Sequence, residues 1–94
     1  MASDINDVTI NYEEDGVLIV KEIDKEILSK GAWSTILFRY QQLDRRKNEY
    51  GPDRYAIRRY QKSHGEYNQK SKFTISSREQ AEKIITALQG WLKD

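Results

Sequence analysis

The stretch Tyr55-Ala56-Ile57-Arg58-Arg59-Tyr60-Gln61 alternates in a way that is typical of a β-strand, because successive strand residues point to opposite faces of a sheet. One face carries Tyr55, Ile57 and Arg59, and the other carries Ala56, Arg58 and Tyr60. Since Tyr60 shares its face with Arg58 and Lys62, we expect its ring to be exposed beside two cations. The run therefore predicts a strand with a basic and aromatic surface.

Further strands flank this run on both sides. Residues 33–43 are rich in β-branched and aromatic side chains, which predicts a long strand. Residues 44–53 are polar and contain the only proline, which cannot donate to a sheet ladder, so we expect a loop there. After a turn at residues 63–66, residues 72–75 predict a short strand that pairs with residues 55–61 as a hairpin.

The N-terminal region predicts a second hairpin. Residues 8–12 and 17–23 are β-type runs, and they flank Glu13-Glu14-Asp15-Gly16, whose Asp-Gly pair supplies the positive φ of a tight turn.

The C-terminal segment predicts one helix over residues 76–92. Ser76-Ser77-Arg78-Glu79 has the spacing of a capping box, in which a hydroxyl and a carboxylate satisfy backbone amides of the first turn. An apolar stripe follows at helical spacing, and we expect it to be buried. The stripe consists of Ala81, Ile84, Ile85, Leu88, Trp91 and Leu92.

These elements predict an α+β fold, an antiparallel curved β-sheet of four to five strands followed by one C-terminal α-helix. With 94 residues the chain forms a single domain, in which residues 1–29 are an acidic hairpin region, residues 33–75 are basic and aromatic strands, and residues 76–92 are the helix.

The residue inventory argues against an enzyme. There is no cysteine, and His64, the only histidine, lies in a turn without an orienting carboxylate at local spacing. A hydrolase using His64 and Glu66 is the weakest of the alternatives. We expect no catalytic residue, no metal, no cofactor, no small-molecule substrate and no membrane partner. A chain without a signal peptide or a long apolar segment is expected to be cytoplasmic.

Charge is segregated along the chain. Residues 1–29 carry eight acidic and two basic side chains, whereas residues 30–72 carry eleven basic and four acidic ones. Residues 33–73 hold eight of the ten aromatic residues. Cations that meet phosphates and rings that stack on bases together hold single-stranded nucleic acid. The alternative for the charges is solvated loops. For Phe38, Tyr55 and Phe73 we expect a core role rather than a role in stacking.

The second half resembles the family of the eukaryotic transcriptional positive coactivator four and its compact bacterial and phage relatives, which bind single-stranded DNA. The resemblance rests on residues 55–60, on the basic strand at residues 70–75 and on the Ser76 capping box. It implies that Arg58 contacts phosphate, that Tyr60 stacks on bases, that Lys70 and Lys72 form a basic strand, and that the protein is a homodimer.

We therefore predict a non-enzymatic protein that binds single-stranded DNA or RNA, with a role in transcription or replication. The alternative is a protein-interaction module with an acidic partner, and the acidic residues 1–29 could mask the basic sheet within the chain. The expected nucleic-acid-binding residues are Arg39, Tyr40, Arg45, Arg46, Lys47, Arg58, Tyr60, Lys62, Lys70 and Lys72.

The length of the apolar stripe on the helix independently predicts a homodimer. One small sheet covers a stripe about 100° wide, and the apolar surface continues beyond it to the C-terminus. The alternative is that Trp91 folds back on the sheet of its own chain. The expected dimer interface consists of Ile84, Ile85, Leu88, Trp91 and Leu92.

Overall fold

A computed structural model describes residues 3–93. A single 3-10 turn, Ile5–Asp7, precedes six strands and one helix. The strands are β1 (Tyr12–Glu14), β2 (Val17–Ser29), β3 (Trp33–Asp44), β4 (Glu49–Tyr50), β5 (Arg54–Ser63) and β6 (Glu66–Ile75), and the helix is α1 (Arg78–Leu92).

The strands form one curled antiparallel sheet in the order β1-β2-β3-β5-β6, with the two-residue β4 paired to the end of β3. The predicted fold class is therefore confirmed. Neighbours in the sheet are also neighbours in sequence, apart from the short excursion through β4, so the chain meanders from one edge to the other.

Tight two-residue turns set the two outer hairpins. Asp15 and Gly16 have φ values of 52° and 78°, and His64 and Gly65 have values of 53° and 79°. Positive φ at both central residues matches the right-handed twist of the flanking strands. The predicted β5–β6 hairpin is confirmed, with a longer β6 than expected. In the N-terminal hairpin the Asp15-Gly16 turn is confirmed, and β2 is longer than expected.

The first predicted strand, residues 8–12, is wrong in its position. Only Tyr12–Glu14 pairs with β2, and residues 5–11 instead cross the sheet as a segment that we call the N-terminal strap. Ile5, Val8 and Ile10 of the strap are buried in the core cluster. Burial of these apolar side chains against the sheet is more favourable than placing them in an edge strand, where alternate residues would be exposed to water.

The strap divides the sheet into two faces. We call the face beneath it the inner face; it carries the buried Ile36, Phe38, Tyr40, Ala56 and Tyr60. The outer face carries Leu37, Ile57 and Phe73, which are direct neighbours across β3, β5 and β6. The predicted alternation within β5 is thus present, and the main core cluster lies on the inner side. Ile75, which is opposite Tyr55 on the outer face, is also buried.

The helix differs from the prediction in its cap and in its burial. Ser77 is the N-cap, and its Oγ accepts a hydrogen bond from the backbone N–H of Gln80 (3.1 Å). The Gln80 side chain accepts one from the N–H of Ser76 (2.6 Å), so the reciprocal partner is Gln80 rather than Glu79. No residue of α1 is buried, and the expectation of a buried stripe is wrong for the single chain.

Within residues 3–93, no helix is long and apolar enough to cross a membrane.

Candidate nucleic-acid interface

The hairpin formed by β5 and β6 holds the main concentration of basic side chains. Residues 54–75 carry six basic residues and one acidic residue, which gives a net charge of +5. None of these six bases forms an ion pair with a carboxylate of the described residues. We call residues 54–75 the basic hairpin.

The sheet order sets this hairpin apart from the acidic one. The β1–β2 hairpin, residues 12–29, carries six acidic and two basic residues and occupies the opposite edge of the sheet. The two hairpins are separated by β3, so the charge segregation along the sequence becomes a separation across the sheet.

Part of the inner face of the basic hairpin is left open by the strap. The strap's side-chain hydrogen bonds to the sheet are made with Glu22 and Lys25 of β2, and Lys72 of β6 is exposed. Arg58 lies directly opposite Lys72, and Lys62 lies opposite Tyr67. We call this area the hairpin surface; it consists of Arg58, Lys62, Tyr67, Gln69 and Lys72.

Arg58 is held in place by its neighbours. Its Nη1 donates to Gln69 Oε1 (3.0 Å), while its Nε is buried and has no hydrogen-bond partner among the described residues. Burial raises the pKa of Tyr60, and the adjacent positive charge of Arg58 opposes that rise. The guanidinium of Arg58 is therefore hydrogen-bonded to Gln69 and lies next to Tyr60.

Lys62 lies above an aromatic ring of the same surface. Its Nζ is 5.4 Å from the centroid of Tyr67, within the range of a cation–π contact. Tyr67 is half-buried, which leaves part of its ring accessible beside the lysine.

The expectation that Tyr60 is exposed is wrong. Tyr60 is 5% exposed and Tyr40 is 8% exposed, and both belong to the core cluster with Ile5, Val8 and Ile10. Neither ring is free to stack on a base while the strap is in place. Tyr60 points to the same face as Arg58, as predicted, but the strap covers that face at Tyr60.

Two of the predicted phosphate contacts are already paired with carboxylates. Arg39 lies on the outer face and its Nε is 2.6 Å from Asp53 Oδ2. Hydrogen bonds from Gln41 and Arg39 lower the pKa of the Asp53 carboxyl. Arg45 Nη2 is 3.0 Å from Glu14 Oε1 of the acidic hairpin.

The remaining predicted bases lie apart from the hairpin surface or at its margin. Arg46 and Lys47 are in the turn between β3 and β4, where their backbone N–H groups donate to Asp44 Oδ1. Lys70 lies in a β-bulge, because Tyr60 pairs with Gln69 while Arg59 pairs with Ser71. The structure therefore brings together Arg58, Lys62 and Lys72, and Lys70 adjoins them.

An exposed aromatic group on the outer face was missed by the sequence interpretation. The guanidinium of Arg59 lies 4.3 Å from the centroid of Trp33. Phe73 is 51% exposed, so the prediction of a core role for it is wrong. Strand alternation predicts that Trp33, Ile57 and Phe73 share one face of the sheet. Only the position of the strap decides which face is covered.

His64 and the acidic residues of the described chain are not gathered into a metal site. Within residues 3–93 no group of three or more histidine, aspartate or glutamate side chains is arranged to hold a metal ion. His64 itself lies in the β5–β6 turn with φ of 53°.

No protein-family model matches this chain, and neither a curated protein nor a solved structure matches it.

Proposed function

We propose that the protein binds single-stranded nucleic acid through the hairpin surface, without catalysis and without a cofactor. The observation that carries this proposal is the set of basic side chains on β5 and β6 that have no carboxylate partner among the described residues. Desolvating an ion pair to bind phosphate is unfavourable, whereas unpaired surface cations release condensed counterions from the nucleic acid.

The side chains of the hairpin surface are arranged along the strands. Same-face residues recur about every 6.8 Å along a strand, so Arg58 and Lys62 are about 13 Å apart and can follow successive parts of one sugar–phosphate backbone. Arg58 keeps guanidinium N–H groups beyond its bond to Gln69, and these suit a phosphate oxygen. Lys72 supplies a second charge across from Arg58.

Base stacking contributes less in this proposal than the sequence suggested, because Tyr40 and Tyr60 are covered by the strap. Tyr67 is the half-buried ring on the hairpin surface, and it takes the stacking role proposed earlier for Tyr60. The resemblance to the positive coactivator four family agrees with the roles of Arg58 and Lys72. An intracellular role in transcription or replication is part of the same proposal.

The proposal is tested by titrating a labelled oligothymidine and a labelled oligouridine at several salt concentrations. We expect log K to fall against log salt with a slope of about −0.7 for each phosphate neutralised. Lys72→Gln should weaken binding and make the slope shallower by about 0.7. Arg45→Gln is the matched control, since Arg45 is already paired with Glu14 and should leave the slope unchanged.

Two outcomes would overturn the proposal. One is an affinity that does not change with salt. The other is an equal loss of affinity for the oligonucleotides in Lys72→Gln and Arg45→Gln. Polyglutamate of matched charge is titrated in parallel, because the alternative function is binding to an acidic protein. Binding of polyglutamate without binding of either oligonucleotide would favour that alternative.

A further inference from the structure

Two apolar surfaces of this chain are left uncovered. The first is on α1, where Trp91 is 78% exposed and Leu92 is 77% exposed, and where Ile85 and Leu88 are also exposed. A shallow groove along this helix is lined by helix residues alone, among them Ile84, Ala87, Leu88 and Trp91. No strand of the described chain contributes to that groove.

The second surface is on the outer face of the sheet. Leu37, Ile57 and Phe73 form a continuous row across β3, β5 and β6, and we call this row the outer stripe. Phe73 is 51% exposed, whereas Leu37 and Ile57 are half-buried. Trp33 and Tyr55 flank it on the same face by strand alternation. The strap lies on the other side of the sheet, so it covers none of these residues.

The dimensions of the single chain agree with a sheet whose outer face lacks a complete packed layer. The radius of gyration is 15.1 Å, whereas a compact chain of this length has a value of about 12 Å. The shortest extent of the molecule is 17 Å. A helix stacked on a sheet lies about 10 Å from it, and α1, which contacts β6 but has no fully buried residue, forms only a partial layer within its own chain.

The helix also needs a partner on energetic grounds. An isolated helix of about 12 to 15 residues is marginally stable in water, and most helical stability comes from packing of an apolar face. α1 has 15 residues and none of them is fully buried, although Ala81, Ile84 and Ala87 are half-buried. Its cap at Ser77 and its i,i+4 ion pair between Arg78 and Glu82 supply only small increments.

We propose that two copies of this chain pair reciprocally, with α1 of each copy lying on the outer stripe of the other. The fit is dimensional, because a helix is about 10 Å wide and three strands span about 10 Å. Direct pairing of the two helices would leave Phe73 and Trp33 exposed to water, whereas reciprocal docking covers both surfaces at once.

The area is sufficient for a stable interface. Taking 150–250 Å² for a large side chain, the four exposed apolar residues of α1 present on the order of 500 Å² per copy. The outer stripe adds a comparable surface on the facing molecule. Two such contacts reach the range of about 1,200 to 2,000 Å² that is usual for specific interfaces.

A second copy is the occupant that this chain itself specifies, because each molecule carries one uncovered helix and one uncovered stripe. A twofold pairing then satisfies both surfaces of both molecules and leaves no open end. The inner hairpin surface stays free in this dimer because it lies on the other side of the sheet. The dimer and the nucleic-acid site can therefore fail or succeed independently.

The proposal is tested with single cysteines, since the chain has none of its own. Leu88→Cys and Phe73→Cys are prepared separately, mixed under reducing conditions and then oxidised. Each chain has one thiol, so a disulfide between the two variants must join different molecules. We expect the mixed 88–73 product, and we expect none when Leu88→Cys is mixed with Gln69→Cys, whose side chain lies on the inner face.

A second pair, Leu92→Cys with Ile57→Cys, keeps the test decisive if one of the first variants does not fold. Sedimentation equilibrium of the unmodified chain at micromolar concentration should give twice the mass of 11.1 kDa. A monomer mass would overturn the proposal. Exclusive 88–88 cross-linking would also overturn it, because that product indicates helix-to-helix pairing.

Discussion

Tyr60 couples the core to the hairpin surface. Its ring packs with Ala56 and the strap, while its hydroxyl lies beside Arg58, whose charge opposes the rise in the Tyr60 pKa that burial causes. A tyrosine in such a position contributes to folding through its ring and to binding through the orientation of its neighbour. The two contributions can be separated by substitution.

We predict that Tyr60→Ala lowers the free energy of unfolding by about 3–5 kcal/mol, because it leaves a cavity under the strap. Tyr60→Phe keeps the ring and should cost less than about 1.5 kcal/mol. Urea denaturation followed by circular dichroism measures both. Wild-type stability of Tyr60→Ala would mean that the strap does not pack on this ring.

The lowered pKa of Asp53 predicts that the free energy of unfolding decreases in acid. Its pKa is lowered in the folded chain, chiefly by the hydrogen bond from Gln41 and then by that from Arg39. A lowered pKa contributes stability above the ordinary value of 3.8, and this contribution is lost as the pH falls through the folded pKa. Thermal unfolding between pH 5 and acid pH, in about half-unit steps, follows the loss.

Asp53→Asn is the control for that titration. It should be less stable than the wild type at neutral pH and should show a flatter decline in acid, because the asparagine side chain does not titrate. Parallel curves for the two proteins would contradict a role for this carboxylate.

At the scale of elements, the N-terminal strap is attached to β2 by a lysine side chain. Lys25 Nζ donates to the backbone carbonyls of Asn6 (2.7 Å) and Val8 (2.6 Å). Hydrogen bonds from a charged donor contribute about 1.5–3 kcal/mol each when well formed. The strap is thus joined to β2 by these bonds and to the inner face by Ile5, Val8 and Ile10.

Lys25→Met should therefore loosen the strap while the sheet remains folded. We expect faster amide hydrogen exchange in residues 5–11 and little change in β5 and β6, because the strap opens as a local unit. Lys30→Met, at an exposed position outside the strands, is the control. Equal acceleration across the whole sheet would show that the strap and the sheet unfold together.

The sequence predicted most elements because each has a local signal. The Asp-Gly and His-Gly turns require positive φ, alternation identifies β5, and Gln80 and Ser77 stabilise the start of α1. The strap has no such signal, since Ile5, Val8 and Ile10 suit a strand equally well. Its position is decided by tertiary burial, which also decided the exposure of Tyr60 and Phe73.

The candidate site was predicted in part for the same reason. Alternation grouped Arg58 with Lys62, and the hairpin register brought Lys72 beside them. The pairing of Arg39 with Asp53 and of Arg45 with Glu14 depends on contacts 14 and 31 residues apart. Local patterns do not contain that information.

At the scale of the whole molecule, reciprocal pairing would make stability depend on concentration. Dissociation accompanies unfolding in such a dimer, so the thermal midpoint should rise as protein concentration is raised from micromolar to millimolar. Leu88→Asp should abolish this dependence, because pairing would bury an unpaired charge, and the midpoint should fall because the stabilisation by pairing is lost.

Gln89→Asp is the matched control, since it adds the same charge one residue further along the helix, outside the apolar groove. Its midpoint should keep the concentration dependence of the wild type. A midpoint that does not vary with concentration in the unmodified chain would contradict the dimer.

The order of the hairpins in the sheet also bears on how fast a ligand arrives. With the acidic hairpin at one edge and the basic hairpin at the other, the molecule has a strong electric dipole in the plane of its sheet. An approaching polyanion is repelled from β1 and drawn toward β6, so the dipole orients the encounter before any contact forms. The association rate constant should consequently fall steeply with ionic strength, while the dissociation rate constant reflects the short-range contacts of Arg58, Lys62 and Lys72.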